Sequence, residues 1–240
     1  MPSRKNPRSR PASGKTRLSR DLVLATALEL VDSEGLGALS MRRLGQELGY
    51  DPMSLYRHAT SRDDLLDGIT ELVISEVAVL TGDPDWHAGL RRIAHDLRLL
   101  ALRHPNVVPL LVTRPLSTPL GLRPLGVLRP LEQILALLVK AGFAPADALH
   151  VYRAYYGFLF GHILNELQEL VVDAEENEAT LHLELGRLPA KEFPHLRALG
   201  PVLADYDGAA ELDQGLNILL AGLTTQLANA RQAPAGTVGQ

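Results

Sequence analysis

The chain has 240 residues, 46% hydrophobic and 22% charged, a length and balance that suit one large or two smaller globular domains. Cysteine is absent, which excludes disulfides, thiolate catalysis and cysteine-ligated metals. The formal net charge of −4 hides an asymmetry: residues 1–62 carry a net +5 and residues 63–240 a net −9, as expected of a module for a polyanion joined to a module with another task.

Residues 1–18 read as a disordered basic arm. Seven of the first 20 residues are Lys or Arg and none is acidic; the arm either lies along nucleic-acid phosphates or merely solubilises the chain. The opening lacks the apolar core of a signal peptide, and no run of 18 apolar residues occurs, so a cytoplasmic protein with no membrane span is expected. From Ser19, a candidate N-cap, Leu22, Ala25, Leu28 and Val31 recur at helical spacing up to Gly35. Ser40 heads a second helix with Leu44 and Leu48 on its inner face and Gly49 at its close. Asp51-Pro52 punctuates, and a short helix runs from Met53 to about Ala59. Ser61 opens a longer helix to Leu80, with Asp63 and Asp64 in its first turn, where the helix dipole favours them.

Gly82-Asp83-Pro84 marks a boundary, and a helix is expected from Trp86 to Leu102. Pro105, Pro109, Pro115, Pro119 and Pro124 then keep helices short or broken. A helix ending at Gly142 precedes a long apolar one that runs to the acidic stretch "DAEENEA" at 173–179. Residues 180–209 read as irregular, and a last helix runs to Gln232. Nothing alternates as a strand would, and no repeat is visible. The expected fold is therefore all-α: a basic arm (1–18), a helix-turn-helix domain (19–66), a larger helical body (67–231) entered through a linking helix, and a frayed tail (232–240).

Two short helices around a tight turn, packed on a preceding helix, make a helix-turn-helix, whose second helix offers its N-terminal residues to base edges. Leu44, Leu48 and Leu55 face inward, and Gly45 lets the two helices approach. Asp51, Pro52, Met53, Ser54, Tyr56 and Arg57 are left for groove and solvent. No His-Glu-x-x-His, phosphate loop or nucleophile elbow occurs, so no enzyme, metal or cofactor is expected.

The stretch "GLGALSMRRLGQELGYDPMSLYRHATSRDDLL" resembles the DNA-binding domain of the tetracycline-repressor (TetR) family of transcriptional regulators; "SLYRHATSRDDLL" is its most specific part. The resemblance implies Tyr56 and Arg62 on phosphates, Arg42 toward a guanine edge, Ser54 on base or backbone, and Pro52 and Met53 exposed at the head of the reading helix. Arg43 and Arg57 are either phosphate contacts or solvated charges, and His58 either packs or touches DNA. The order Pro52-Met53 departs from the tetracycline repressors, so no operator sequence carries over.

"TRPL" at 113–116, "LVKAGFAPADALHVYRAYYGFLFGHILNE" at 138–166 and the acidic loop resemble the ligand-binding domain of the tetracycline-repressor branch. That branch holds its drug as a magnesium chelate; the two liganding positions fall here at Leu110 and near Asn165. Leucine cannot coordinate magnesium, so a metal-free ligand is expected. Candidate pocket residues are His104, Asn106, Arg114, Tyr152, Tyr155, Tyr156, Phe160, His162 and Asn165, although aromatics at helical spacing also read as core. For a homodimer, Phe158, Ile163, Leu216, Leu219, Leu220 and Leu223 are expected in a four-helix interface, with Gly157, Gly161, Gly215 and Gly222 allowing close approach. The implied function is a repressor that binds a palindromic double-stranded operator and leaves it when a small-molecule effector binds. The alternative is a regulator controlled by a protein partner, or an activator.

Overall fold

The computed structural model describes residues 17–77, 85–112, 125–171, 185–199, 202 and 206–232. Regular structure among them is helical throughout, as the sequence leads one to expect. Most of the basic arm, Arg114 and the acidic loop lie outside the described residues. The chain divides into two compact units, Met1–Leu65 and Leu66–Gln240.

In the first unit, α1 (Arg20–Glu34) begins where Ser19 Oγ accepts the Leu22 amide at 3.2 Å and stops at Gly35, whose φ of +81° favours glycine. A 3₁₀ turn (Leu36–Ala38) leads to α2 (Met41–Leu48), capped by Ser40 Oγ on the Arg43 amide at 3.1 Å and closed by Gly49 in the left-handed region. The helix α3 (Pro52–Leu55) starts with Asp51 Oδ1 on the Met53 amide at 2.8 Å and with proline in its first turn, where no N–H is missed. It is shorter than the helix expected to Ala59. The chain nevertheless winds on, with the His58 and Ala59 amides both donating to Leu55 O. The core is small: Val31, Leu39, Leu44, Leu55 and Leu65 are 0–2% exposed.

The helix α4 (Arg62–Ile74) crosses the division between the units. It gives way to a turn over 75–77, earlier than the expected end at Leu80. The second unit then builds α5 (Trp86–Arg103), a 3₁₀ turn (Pro105–Val107), α6 (Val108–Val112), α7 (Leu125–Ala141), α8 (Pro145–Val171), α9 (Pro194–Ala198) and α10 (Gly208–Gln232). α5 packs on α7, α8 and α10, and α8 also packs on α7 and α10. Two glycines set the spacing. A Cβ at Gly89 would lie 2.8 Å from a Leu137 methyl, and one at Gly215 would lie 2.3 Å from the Phe158 ring. Leu90, Ile134, Leu138, Leu159, Leu212 and Leu216 form a dry centre at 0% exposure. Along one edge α5 meets α10 through polar rungs: His87 Nε2 with Thr224 Oγ1 at 2.7 Å, Arg91 with Asn217 at 2.6 Å, and His95 Nε2 with Asp213 at 2.9 Å. Among the described residues no helix is long and apolar enough to cross a membrane.

Candidate DNA-reading surface and ligand recess

The reading surface is set by how tightly α2 turns into α3. A Cβ on Gly45 would lie 2.9 Å from Tyr50 O and 3.3 Å from the Pro52 ring, and the Tyr50 amide donates to Gly45 O at 2.9 Å. Any larger residue at 45 forces the turn open. With Leu55 buried beneath it, α3 presents Met53, 72% exposed, and Tyr56, 44% exposed. Pro52 and Ser54 are half-buried, and Arg42 and Arg57 are exposed with no ion-pair partner among the described residues.

The other two arginines are engaged. Arg43 bridges Glu34 at 2.5 Å and Glu47 at 2.8 Å. Its hydrogen bond to Glu34 holds that carboxyl below the usual carboxylate range, and the Glu34 and Glu47 bonds push the guanidinium up. Arg62 donates from Nε to Leu39 O at 3.1 Å and from Nη2 to Leu36 O at 2.8 Å, tying α4 to the turn before α2. Its guanidinium has N–H groups beyond these two. Arg20, at the start of α1, spans 44 positions to Asp64 at 2.9 Å and also donates to His58 O at 2.5 Å. Asp64 accepts the Thr60 amide at 2.8 Å as well. The Arg20 bond, then the Thr60 amide, hold its carboxyl below the usual range. His58 is half-buried and enters this tie through its carbonyl.

In the body the expected pocket residues part company. Tyr155 is wholly buried and donates to Leu90 O at 2.7 Å, so it belongs to the core. Its neighbour Tyr156 lines a recess with Ile93 and Leu97 of α5 and with Pro130 and Gln133 of α7. Ile74 and Val77, from the end of α4 and the turn after it, complete the wall. With its open mouth the recess measures about 270 Å³. The rings of Tyr152, Tyr156 and Phe160 follow one another along α8, tilted by 36° and 54° with centroids 4.4 and 5.3 Å apart. Burial, then the Tyr152 and Tyr155 phenols, hold the Tyr156 hydroxyl well above the usual tyrosine range. Gln133, Ile74 and Val77 were not singled out from the sequence, because only the fold brings them together.

His104 is buried 3.8 Å from Glu76, which also pairs with Arg103. Asn106 and Leu110 are half-buried, and Asn165 is exposed. His162 Nε2 lies 3.6 Å from Glu166. Glu166 is the partner the sequence reading missed. Arg98 grips it with Nε at 3.1 and 2.8 Å and Nη2 at 2.5 Å, the two side chains being 14% and 5% exposed. The carboxylate lies against Gly208 at the start of α10, where a Cβ would fall 2.1 Å from Oε1. Among the described residues no three His, Asp or Glu side chains gather as a metal site would.

Ile163, Leu216, Leu220 and Leu223, expected at a dimer interface, are already covered within the protomer, and Phe158 packs on Gly215. Leu219 is half-buried. The outward faces beside them carry Ala154, Gly157, Gly161 and Leu164 on α8, and Ile218, Gly222 and Thr225 on α10. Gly157, Gly161 and Gly222 have open space where a side chain would stand.

Comparison with known proteins bears on both units. Residues 23–69 match the family model "Bacterial regulatory proteins, tetR family", and residues 80–227 match "Tetracyclin repressor-like, C-terminal domain". An HTH-type transcriptional regulator of Saccharopolyspora erythraea is 32% identical over 87% of this chain and 86% of its own. The HTH-type transcriptional repressor DrrR1 of Streptomyces coeruleorubidus is 29% identical over 88% and 82%. The crystal structure of the Streptomyces coelicolor TetR family protein ActR in complex with actinorhodin has a TM-score of 0.75 and 30% identity, covering 88% of this chain and 99% of that one. The chain therefore belongs to the TetR family of DNA-binding transcriptional regulators, and its work is recognition rather than catalysis.

Proposed function

We propose that this regulator is a cytoplasmic, dimeric repressor that holds a palindromic operator through α3 and releases it when a small molecule enters the recess beside Tyr156. The observation that carries the reading is the recess wall. Ile74 and Val77 stand at the end of the chain segment that begins, at Arg62, beside the reading surface. A ligand that parts this wall displaces the far end of α4, and binding at one site then weakens the other by the same factor.

Each part has its support. Met53, Tyr56, Arg42 and Arg57 give a reading surface of one base-reaching arginine and several phosphate partners, the division that positions and specifies a DNA contact. Small residues on the outward faces of α8 and α10, with exposed Leu164 and Ile218 among them, suit the close helix contact of a two-fold interface. ActR is described in complex with actinorhodin and DrrR1 as a repressor, which favours a small-molecule effector over a protein partner.

The test is a screen of small molecules against the full chain, followed by operator affinity for each compound that binds. A compound blocked by Tyr156→Ala should lower operator affinity at least tenfold. If such compounds occupy the recess and operator affinity does not move, ligand-controlled release is wrong, while DNA binding stands.

A further inference from the structure

We infer that Glu34 and Glu47 withhold Arg43 from DNA, and that this acidic pair keeps the chain's affinity for duplex of any sequence below what its arginines alone would give. The inference rests on this unit binding duplex DNA and adds which of its charges takes no part.

Arg42 and Arg43 are neighbours in the first turn of α2, the helix that in a helix-turn-helix crosses the phosphate backbone. As residue types both suit a phosphate; the structure separates them. Arg42 is exposed with no ion-pair partner among the described residues. Arg43 is half-buried, and its fork is filled from both sides. Nε and Nη2 donate to the two oxygens of Glu34 at 3.4 and 2.5 Å, and Nη1 donates to Glu47 at 2.8 Å. A guanidinium carries its N–H groups in one fixed plane, and it grips a phosphate best with two parallel bonds along one edge. Glu34 takes the edge between Nε and Nη2. The edge between Nη1 and Nη2 has a carboxylate on each nitrogen.

The two carboxylates are anchored separately. Glu34 is the last residue of α1, and Glu47 stands one turn further along α2. A single exposed ion pair is weak, and a phosphate competes with it readily. Here an incoming phosphate must displace two tethered carboxylates at once, and both are then left unpaired beside a polyanion. The Arg43 bond also holds the Glu34 carboxyl below the usual carboxylate range, so Glu34 stays charged wherever ordinary carboxylates do.

Charge counting gives the consequence. One guanidinium and two carboxylates make a cluster of net −1, where Arg43 alone would be positive. Affinity for any duplex, and its dependence on salt, grow with the number of phosphates neutralised. The closed clamp removes one such contact from each protomer and leaves Arg42 free. Binding to unrelated sequences is thereby lowered, and it is against those that a regulator's discrimination is measured.

The experiment is a salt titration of the full chain on double-stranded DNA of unrelated sequence, followed by fluorescence anisotropy. It compares the wild type, Glu34→Gln with Glu47→Gln, Arg43→Gln, and all three changes together. The double glutamine variant should bind at least fivefold more tightly at low salt, with the slope of log affinity against log salt steeper by about 0.9 for each added phosphate contact. Arg43→Gln alone should leave the wild-type slope unchanged, and in the triple variant the gain should vanish. A slope that flattens in Arg43→Gln places Arg43 on a phosphate already and overturns the inference. No gain in the double variant overturns it too, as does a gain that survives in the triple variant, because the acids then act by repulsion alone. Amide exchange in α2 checks folding. If the double variant loses that protection, Glu47→Gln alone, which spares the Glu34 bond, should give a smaller gain that still requires Arg43; without that gain the inference falls. Wild-type protein that binds no duplex at any salt sinks the DNA-binding reading itself, which the other outcomes leave standing.

Discussion

In the DNA-binding unit, Ser19, Ser40 and Asp51 each set a side-chain oxygen on a backbone amide two or three residues ahead, and Arg20 and Arg62 tie the helices together from the surface. In the body the corresponding work falls to buried groups: the Arg98–Glu166 pair, the Tyr155 hydroxyl on Leu90 O, and the glycines that let Leu137 and Phe158 close in. The first unit has a small core and pairs its polar groups at the surface, leaving Arg42 and Arg57 exposed. The second takes polar groups inside and pairs them, which costs more to disturb and encloses a recess. The DNA-binding unit and the body thus treat their polar side chains in opposite ways within one helical chain.

The largest test of this contrast is Glu166→Ala. It leaves the Arg98 charge buried without a partner, a loss of about 3–5 kcal/mol. Trp86, the only tryptophan, lies in the body, so its fluorescence in urea should report the loss while amide exchange in α2 stays protected. Next comes Leu55→Ala, which removes a fully buried side chain at about 2–5 kcal/mol. It should abolish operator binding and open α2 to exchange while leaving the Trp86 transition in place. Equal effects of either variant on both units would break the comparison. Arg42→Ala should change which operator is preferred by about 1–3 kcal/mol at one base pair, whereas Tyr56→Phe should weaken all operators alike; competition binding on a set of single-base operator variants decides. Ser40→Ala, losing one cap, should cost about 0.5–2 kcal/mol, read by exchange in α2.

Acid and alkali should also separate the units. The Asp64 carboxyl is held below its usual range by Arg20 and then by Thr60. Its contribution is therefore complete above the unfolded value of about 4 and is lost as pH falls below it. The Tyr155 and Tyr156 phenols are held above theirs, mainly by burial. Their contribution is complete below about pH 10 and lost as pH rises beyond it. Acid should thus loosen the α1–α4 tie first, and alkali the body first, as followed by exchange and by Trp86 respectively.

The same contrast explains what the sequence discloses. Caps and the tight turn at Gly45 are local, so Ser19, Ser40, Gly49 and Asp51 announce their roles within a few residues. The Arg20–Asp64 and Arg98–Glu166 pairs join positions 44 and 68 apart, and no spacing rule reaches that far. Adjacent Tyr155 and Tyr156 look alike as letters, yet one is core and the other wall, because a helix apolar nearly all round does not say which side meets which neighbour. The same ambiguity put Leu216 and Leu220 at an expected interface, when the protomer's own α5 and α8 cover that side of α10. Gln133 stayed hidden because the recess is assembled from segments far apart in the chain.

Selection of bound sequences from random double-stranded DNA by the full-length protein asks whether this chain reads DNA as a two-fold pair through α3. The expected outcome is an inverted repeat whose half-sites are centred about one helical turn, or a multiple of it, apart, with Met53→Ala altering the bases recovered at the same position in both halves. Recovery of unrelated sequences, or of a single half-site unaffected by Met53→Ala, would contradict it.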